Sequence, residues 1–201
     1  MHGNERIGPH VAYYLIEYLV SNFGKDPYIT NLLRTREIVI TPMTNTFGFA
    51  KNLREELCVL QSNSQKKSFD PNRDFPYNNA VDACLNTVAG RTIYKLMVEN
   101  LFVSSITFHG GINVIGYPWG SNNHVIGRGR ANEAPDHTAL NLLGEAMFEA
   151  AGDNITSLDS NSVIRKYILG DMTSTVYPVG GGMEDWAYGA GWDNKKADAG
   201  M

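Results

Sequence analysis

Two imidazoles and a carboxylate stand out as a set that could do chemistry: His2 and Glu5 in His2-Gly-Asn-Glu5, and the distant His109. Zinc takes N and O donors tetrahedrally, and a hydrolytic site uses three protein ligands and leaves the fourth position to water. Residues three apart lie on one side of a helical turn, so His2 and Glu5 can converge on one ion. His109 has to arrive from another element. By itself H-x-x-E is a common pairing, more often the start of a surface helix than half of a metal site.

The elements that would position this set follow from periodicity. Residues 5–23 place Val11, Leu15, Tyr18, Leu19 and Phe23 at helical spacing, which predicts an amphipathic helix ending at Gly24. Residues 37–41 form a short apolar run closed by Pro42 and read as a strand. A second helical pattern over 87–101 puts Ile93, Leu96, Met97 and Leu101 on one face. It is followed by 103–108, which reads as a buried strand delivering His109 at its end, with Gly110-Gly111 turning the chain. Asp136 is expected to N-cap a helix over 137–151. Strands alternating with helices imply an α/β fold, in which ligands bind beyond strand C-terminal ends, where His109 falls. Residues 44–86 and 116–132 read as long loops rich in Asn and Gly, a length that points to function or to disorder.

The bulk numbers suit one domain over residues 1–201: 43% hydrophobic, 19% charged, net charge −4. So mild a charge, without a basic stripe, argues against nucleic acid as a partner. The longest apolar stretch, 11–23, is broken by Glu17 and too short to span a bilayer. The first residues do not have the pattern of a signal peptide. Cys58 and Cys84 allow one disulfide or two free thiols, and Asn154-Ile-Thr156 is a glycosylation sequon. His10, His124 and His137 lack ligand spacing and read as helix-surface or loop residues.

Four motifs occur in order: His2-Gly-Asn-Glu5; Asp70-Pro-Asn-Arg-Asp-Phe-Pro76; Phe108-His-Gly-Gly111 with Tyr117-Pro118; and Tyr177-Pro-Val-Gly-Gly-Gly-Met-Glu-Asp-Trp186. The series resembles the zinc metallocarboxypeptidases of the M14 peptidase family, in the branch with HGNE and HGG motifs. The resemblance implies a central mixed β-sheet flanked by helices, one Zn2+ ion held by His2, Glu5 and His109, and removal of single residues from peptide or protein C-termini. It matches Arg73 to the arginine that grips the terminal carboxylate bidentately, with Asn72 beside it as an amide donor. It matches Tyr177 to a mobile tyrosine that closes over substrate. Arg54 falls near the position of the arginine that polarises the scissile carbonyl, although a solvated helix charge explains it equally well. Glu184 falls where the side chain of the departing residue is received, so a carboxylate there favours Lys or Arg; a structural salt bridge is the competing reading.

In the family, a zinc-activated water attacks the carbonyl and a glutamate accepts its proton. That glutamate is expected on a strand beyond Asp185-Trp186, where only Asp193 and Asp198 follow as carboxylates. With His2 directly after Met1 and a polar tail over 193–201, the chain is expected to be a fragment lacking N-terminal strands and the general-base segment. Two further readings stay open: a catalytically incompetent module that binds peptide C-termini, and a zinc amidohydrolase of acylated amino acids. Some family members pin the Asn72-Arg73 region with a disulfide, and members are often extracellular or lysosomal/vesicular, which favours that setting here. Oligomeric state is left open.

Overall fold

In the computed structural model, residues 1–59, 66–79, 84–127, 129–152 and 167–192 are described. The first helical pattern becomes α1 (Ile7–Asn22), and α2 (Pro27–Thr35) follows it, started by Pro27 at the first turn and by the Asp26 carboxylate accepting from the Ile29 amide. A short helix α3 (Thr46–Lys51) is capped by Asn45 and stopped by Asn52 in the left-handed conformation. Strands β1 (Glu56–Val59) and β2 (Lys66–Phe69) pair antiparallel, and a 3-10 turn over Pro71–Arg73 comes next. Helix α4 (Val88–Glu99) is N-capped by Thr87. Strand β3 (Val114–Tyr117), helix α5 (His137–Ala151) and strand β4 (Ile168–Asp171) form a parallel crossover, with α5 packed on both strands. Two helices close the described chain, α6 (Met172–Thr175) and α7 (Met183–Trp192). The architecture is α/β, as expected, with strand pairs of both senses.

The core lies beneath the Asn72-Arg73 loop. Phe75, Ile93, Met97, Met183 and Trp186 bury one another, so α4 and α7 are clamped together through the residues that follow Arg73. Phe75 and Trp186 are fully enclosed, with ring centroids 5.2 Å apart. Burying two aromatic side chains of this size contributes several kcal/mol at roughly 25 cal/mol per Å².

Several expectations are corrected. Residues 103–108 form no strand among the described residues, and Val103 is fully exposed, at 102%. Residues 37–41 likewise form no strand, with Ile38 and Val39 exposed. An apolar run supplies a strand's side chains, but the strand itself exists only where a second segment offers hydrogen-bond partners. On α1, Gly8, Ala12 and Leu19 are buried while Val11, Leu15 and Tyr18 are exposed, as is Phe23 just beyond it; at Gly8 the helix comes close to Phe108, where a Cβ would stand 3.1 Å from that side chain. Leu101 lies beyond the end of α4 and is exposed. Asp136 precedes α5 without a side-chain cap; its amide and carboxylate bond the Tyr188 hydroxyl instead. The segment 44–86, read as loop, contains α3, β1 and β2. Of the two arrangements open to Cys58 and Cys84, no disulfide joins them to each other, and each is half-buried. The sequon at Asn154 and the tail from 193 lie outside the described residues.

Candidate metal centre and substrate cleft

His2-Gly-Asn-Glu5 forms the turn that leads into α1, and its glycine is a packing requirement. A Cβ at residue 3 would overlap the backbone of Gly48 in α3, so this turn and α3 touch main chain to main chain. The Gly3 amide donates to the Arg54 carbonyl at 3.2 Å, fixing the turn to the segment after α3. His2 is thus held, and it is only 5% exposed.

Three side chains converge as the sequence suggests. The potential ligand atoms of His2, Glu5 and His109 all lie within 4.8 Å of one another. His2 Nδ1 is 2.8 Å from Glu5 Oε1, and His109 Nδ1 is 2.9 Å from Glu5 Oε2 and 3.1 Å from His2 Nδ1. Ligands around a tetrahedral zinc at about 2.0–2.1 Å are about 3.3 Å apart, so a small opening of the triad admits an ion. Two ring nitrogens facing each other at 3.1 Å are poorly satisfied without a shared proton or cation. An N,N,O set of this kind suits zinc.

The surrounding groups prepare that set. Asp70 Oδ1 accepts from His2 Nε2 at 2.8 Å, which leaves Nδ1 turned toward the triad, and Asp70 is itself fixed by the Asn72 amide at 2.8 Å. Arg54 bridges two carboxylates, donating from Nη1 to Glu5 Oε1 at 2.9 Å and from Nη2 to Asp70 Oδ2 at 3.2 Å, with 40% of its side chain exposed. Burial alone would raise the Glu5 carboxyl, but hydrogen bonds from His109, His2 and the Gly110 amide outweigh it and hold the group well below the ordinary carboxylate range. Asp70 is similar: burial is overcome chiefly by His2, with help from the Asn72 amide and Arg73. Burial lowers His2, yet Asp70 and Glu5 together push it above the ordinary imidazole value. Both carboxylates are therefore ionised at neutral pH, as metal ligation requires.

One cleft of about 310 Å³ is lined by all eight side chains that the sequence singles out: His2, Glu5, Arg54, Asn72, Arg73, His109, Tyr177 and Glu184. Asn72 directs its carbonyl oxygen to the Met183 amide at 3.0 Å, which ties the loop to the start of α7 and leaves the amide nitrogen for the cleft. Arg73 donates to the Tyr177 hydroxyl at 3.2 Å across the cleft mouth, and Tyr177 is 51% exposed. Glu184 is half-buried in the first turn of α7, beside Gly120 and Gly182. Among the described residues it has no ion-pair or hydrogen-bond partner, which disfavours the structural salt bridge. The remaining wall is apolar, from Ile112, Val114, Met172, Val176 and Val179.

Sequence reasoning passed over the buried carboxylates Glu56, Asp74 and Asp185 and the half-buried Asp70. Asp70 and Asp74 flank Asn72-Arg73 in the quoted motif, and acidic residues so placed in a turn were the available signal. His124, set aside as a loop residue, is half-buried, stacks on Trp119 at 3.9 Å and bonds the Tyr77 hydroxyl at 2.8 Å.

Comparison with known proteins agrees with this geometry. The family model described as zinc carboxypeptidase matches residues 1–194. Carboxypeptidase M of Mus musculus is 31% identical over 193 residues, covering 94% of this chain and 43% of that protein. Carboxypeptidase D of Rattus norvegicus is 28% identical over 191 residues, covering 94% of this chain and 14% of that protein. The chain therefore spans less than half the length of these relatives. Among solved structures, thrombin activatable fibrinolysis inhibitor superposes with a TM-score of 0.73 at 19% identity, over 94% of this chain and 49% of that one, a likeness of fold.

Proposed function

Because this chain belongs to the zinc carboxypeptidase family, we propose that it carries the centre of a zinc-dependent metallocarboxypeptidase that cleaves the C-terminal peptide bond of peptides or proteins and prefers basic C-terminal residues. One observation carries the reading: a metal triad, a carboxylate-binding pair and an unpaired acid line a single cleft. In this reading His2, Glu5 and His109 hold the ion, which supplies Lewis-acid polarisation and an activated water. Arg73 and the Asn72 amide receive the terminal carboxylate, and Tyr177 moves from Arg73 to cover the bound residue. Arg54 uses one N–H on Glu5 and one on Asp70, which leaves donors of its five for a substrate carbonyl. Glu184 meets the ammonium or guanidinium of the departing residue, whose stem lies along the apolar wall. The resemblance to carboxypeptidases favours an extracellular or vesicular setting.

Zinc-loaded protein is incubated with matched peptides ending in Lys and Phe, and release of the last residue is followed. The Lys peptide turns over faster, and Glu184→Gln reduces that advantage roughly tenfold, a fraction of the 2–5 kcal/mol attached to a fully buried charge pair. Equal or better turnover of the Phe peptide would overturn the basic preference.

A second reading, a module that binds C-termini without hydrolysis, is favoured by one observation. Among the described residues only Glu5 and Glu184 bring carboxylates to the cleft, and Glu5 is committed to the triad. Saturable, zinc-strengthened binding of the Lys peptide with no released lysine would select this reading.

A further inference from the structure

Arg73 owes its position to an interaction that its own side chain does not make. Among the described residues the guanidinium donates only to the Asn72 carbonyl and the exposed Tyr177 hydroxyl. The next residue is anchored far more firmly. Asp74 is 2% exposed, and its carboxylate gathers four donors from the segment before α4. Oδ1 accepts from the Asn86 amide at 2.8 Å and Asn86 Nδ2 at 3.3 Å; Oδ2 accepts from the Thr87 amide at 2.7 Å and Thr87 Oγ1 at 2.6 Å. The Asp74 carbonyl also accepts from the Leu85 amide at 2.7 Å.

Those partners are rigid. Thr87 is the N-cap of α4, its hydroxyl oxygen accepting from the Gly90 amide at 2.8 Å, and Ile93 and Met97 seat α4 in the core. Glu56 holds the same helix start from the other side, accepting from the Val88 and Ala89 amides at 2.6 and 3.0 Å. The fit at Asp74 is close enough that a Cβ at residue 90 would stand 2.6 Å from Asp74 Oδ2. On the other flank of Arg73, the Phe75 amide donates to the Gly181 carbonyl at 3.1 Å.

We infer that Asp74 is a positioning residue for carboxylate recognition: it bolts the Arg73 backbone to the N-terminus of α4, so that the guanidinium fork meets a terminal carboxylate in its bidentate orientation. The inference rests on Arg73 being the group that reads the carboxylate. A bidentate pair is geometrically demanding, and a loop displacement of about 1 Å forfeits much of it. An anionic anchor suits the place, since four donors and the positive end of α4 converge there. Among the described residues no hydrogen bond joins Asp74 directly to the triad, so its loss affects metal affinity less than recognition of the acid.

The test compares two inert probes on zinc-loaded protein by calorimetry: 6-aminohexanoate, with a carboxylate, and 6-aminohexanamide, without one. The parent protein binds the acid more tightly. Asp74→Ala loses about tenfold in affinity for the acid, with the amide affinity unchanged and zinc affinity reduced far less, while Asp74→Asn, which turns an NH2 toward one pair of donors, loses an intermediate amount. Should Asp74→Ala fold poorly by circular dichroism, Asn86→Ala removes one of the four donors, the side-chain amide, without touching the α4 cap and shows a smaller loss in the same direction. If the parent preference persists undiminished in these variants, or both probes weaken equally, Asp74 is not a positioning residue. A parent protein with no preference for the acid removes Arg73 as the reader, and this inference falls with it.

Discussion

Removing the carboxylate behind His2 isolates how the metal centre is built. Asp70 accepts from His2 Nε2 at 2.8 Å, and this contact determines which ring nitrogen faces Glu5 and His109. The His2 side chain is only 2% exposed, so solvent is poorly placed to take over the lost bond. Loss of such a supporting group typically weakens metal affinity 10–100-fold, about 1.4–2.8 kcal/mol. Asp70→Asn retains an acceptor oxygen but not the charge, and is expected at the tenfold end. Asp70→Ala removes the acceptor and also leaves Arg54 with Glu5 alone, and is expected near a hundredfold. The assay is competition for zinc against a chromophoric chelator at fixed pH and ionic strength, with His109→Ala as the reference for loss of a ligand. If both Asp70 variants bind zinc within twofold of the parent, Asp70 does not orient His2 toward the ion, and the tautomer inferred here is wrong.

Two other consequences concern stability. Burial, reinforced by the neighbouring Glu184 charge and only partly countered by the Gly120 amide, pushes the Asp185 carboxyl up to about 7. Between the unfolded value near 4 and 7 the folded state holds one more proton, so stability falls as pH rises and levels off above 7. Urea unfolding at pH 5 and pH 8 should show Asp185→Asn relieved of a decline of about 3 kcal/mol (roughly two pH units at 1.36 kcal/mol each). The contribution of His2, which runs in the same direction, is common to both proteins and cancels; equal declines would refute the assignment. Gly181 has φ +70°, and a Cβ there would strike the Arg73 carbonyl. Gly181→Ala is expected to cost more than about 1 kcal/mol, read as a melting temperature lower by at least about 2–4 °C; an unchanged melting curve would show that the loop adapts.

The helices were legible because their information is local. Residues 137–151 and the span around α4 carry a 3.6-residue pattern with clear boundaries, and both form where that pattern places them. Residues 103–108 and 37–41 show the limit of this reasoning: a strand is half of a pair, and apolar content says nothing of whether a partner lies alongside. The stripe on α1 failed for a related reason. Its large apolar residues have the right period, yet the buried positions are Gly8, which sits against Phe108, Ala12 and Leu19.

What the sequence determined by itself was the chemical inventory: an N,N,O ligand set, an arginine beside an asparagine, a tyrosine in a glycine-rich loop and an acid before Asp185-Trp186. Residue type limits what a side chain can ligate or donate to, so the inventory pointed to chemistry before any fold was known. Only the tertiary structure decided that these residues share one cleft, that His2 turns Nδ1 inward because Asp70 holds Nε2, and that Asp74 ties the Arg73 loop to α4. Those facts depend on contacts between residues from 13 to more than 100 positions apart in the chain. Such distances are set when the core around Phe75 and Trp186 closes, and no pattern within either segment encodes them.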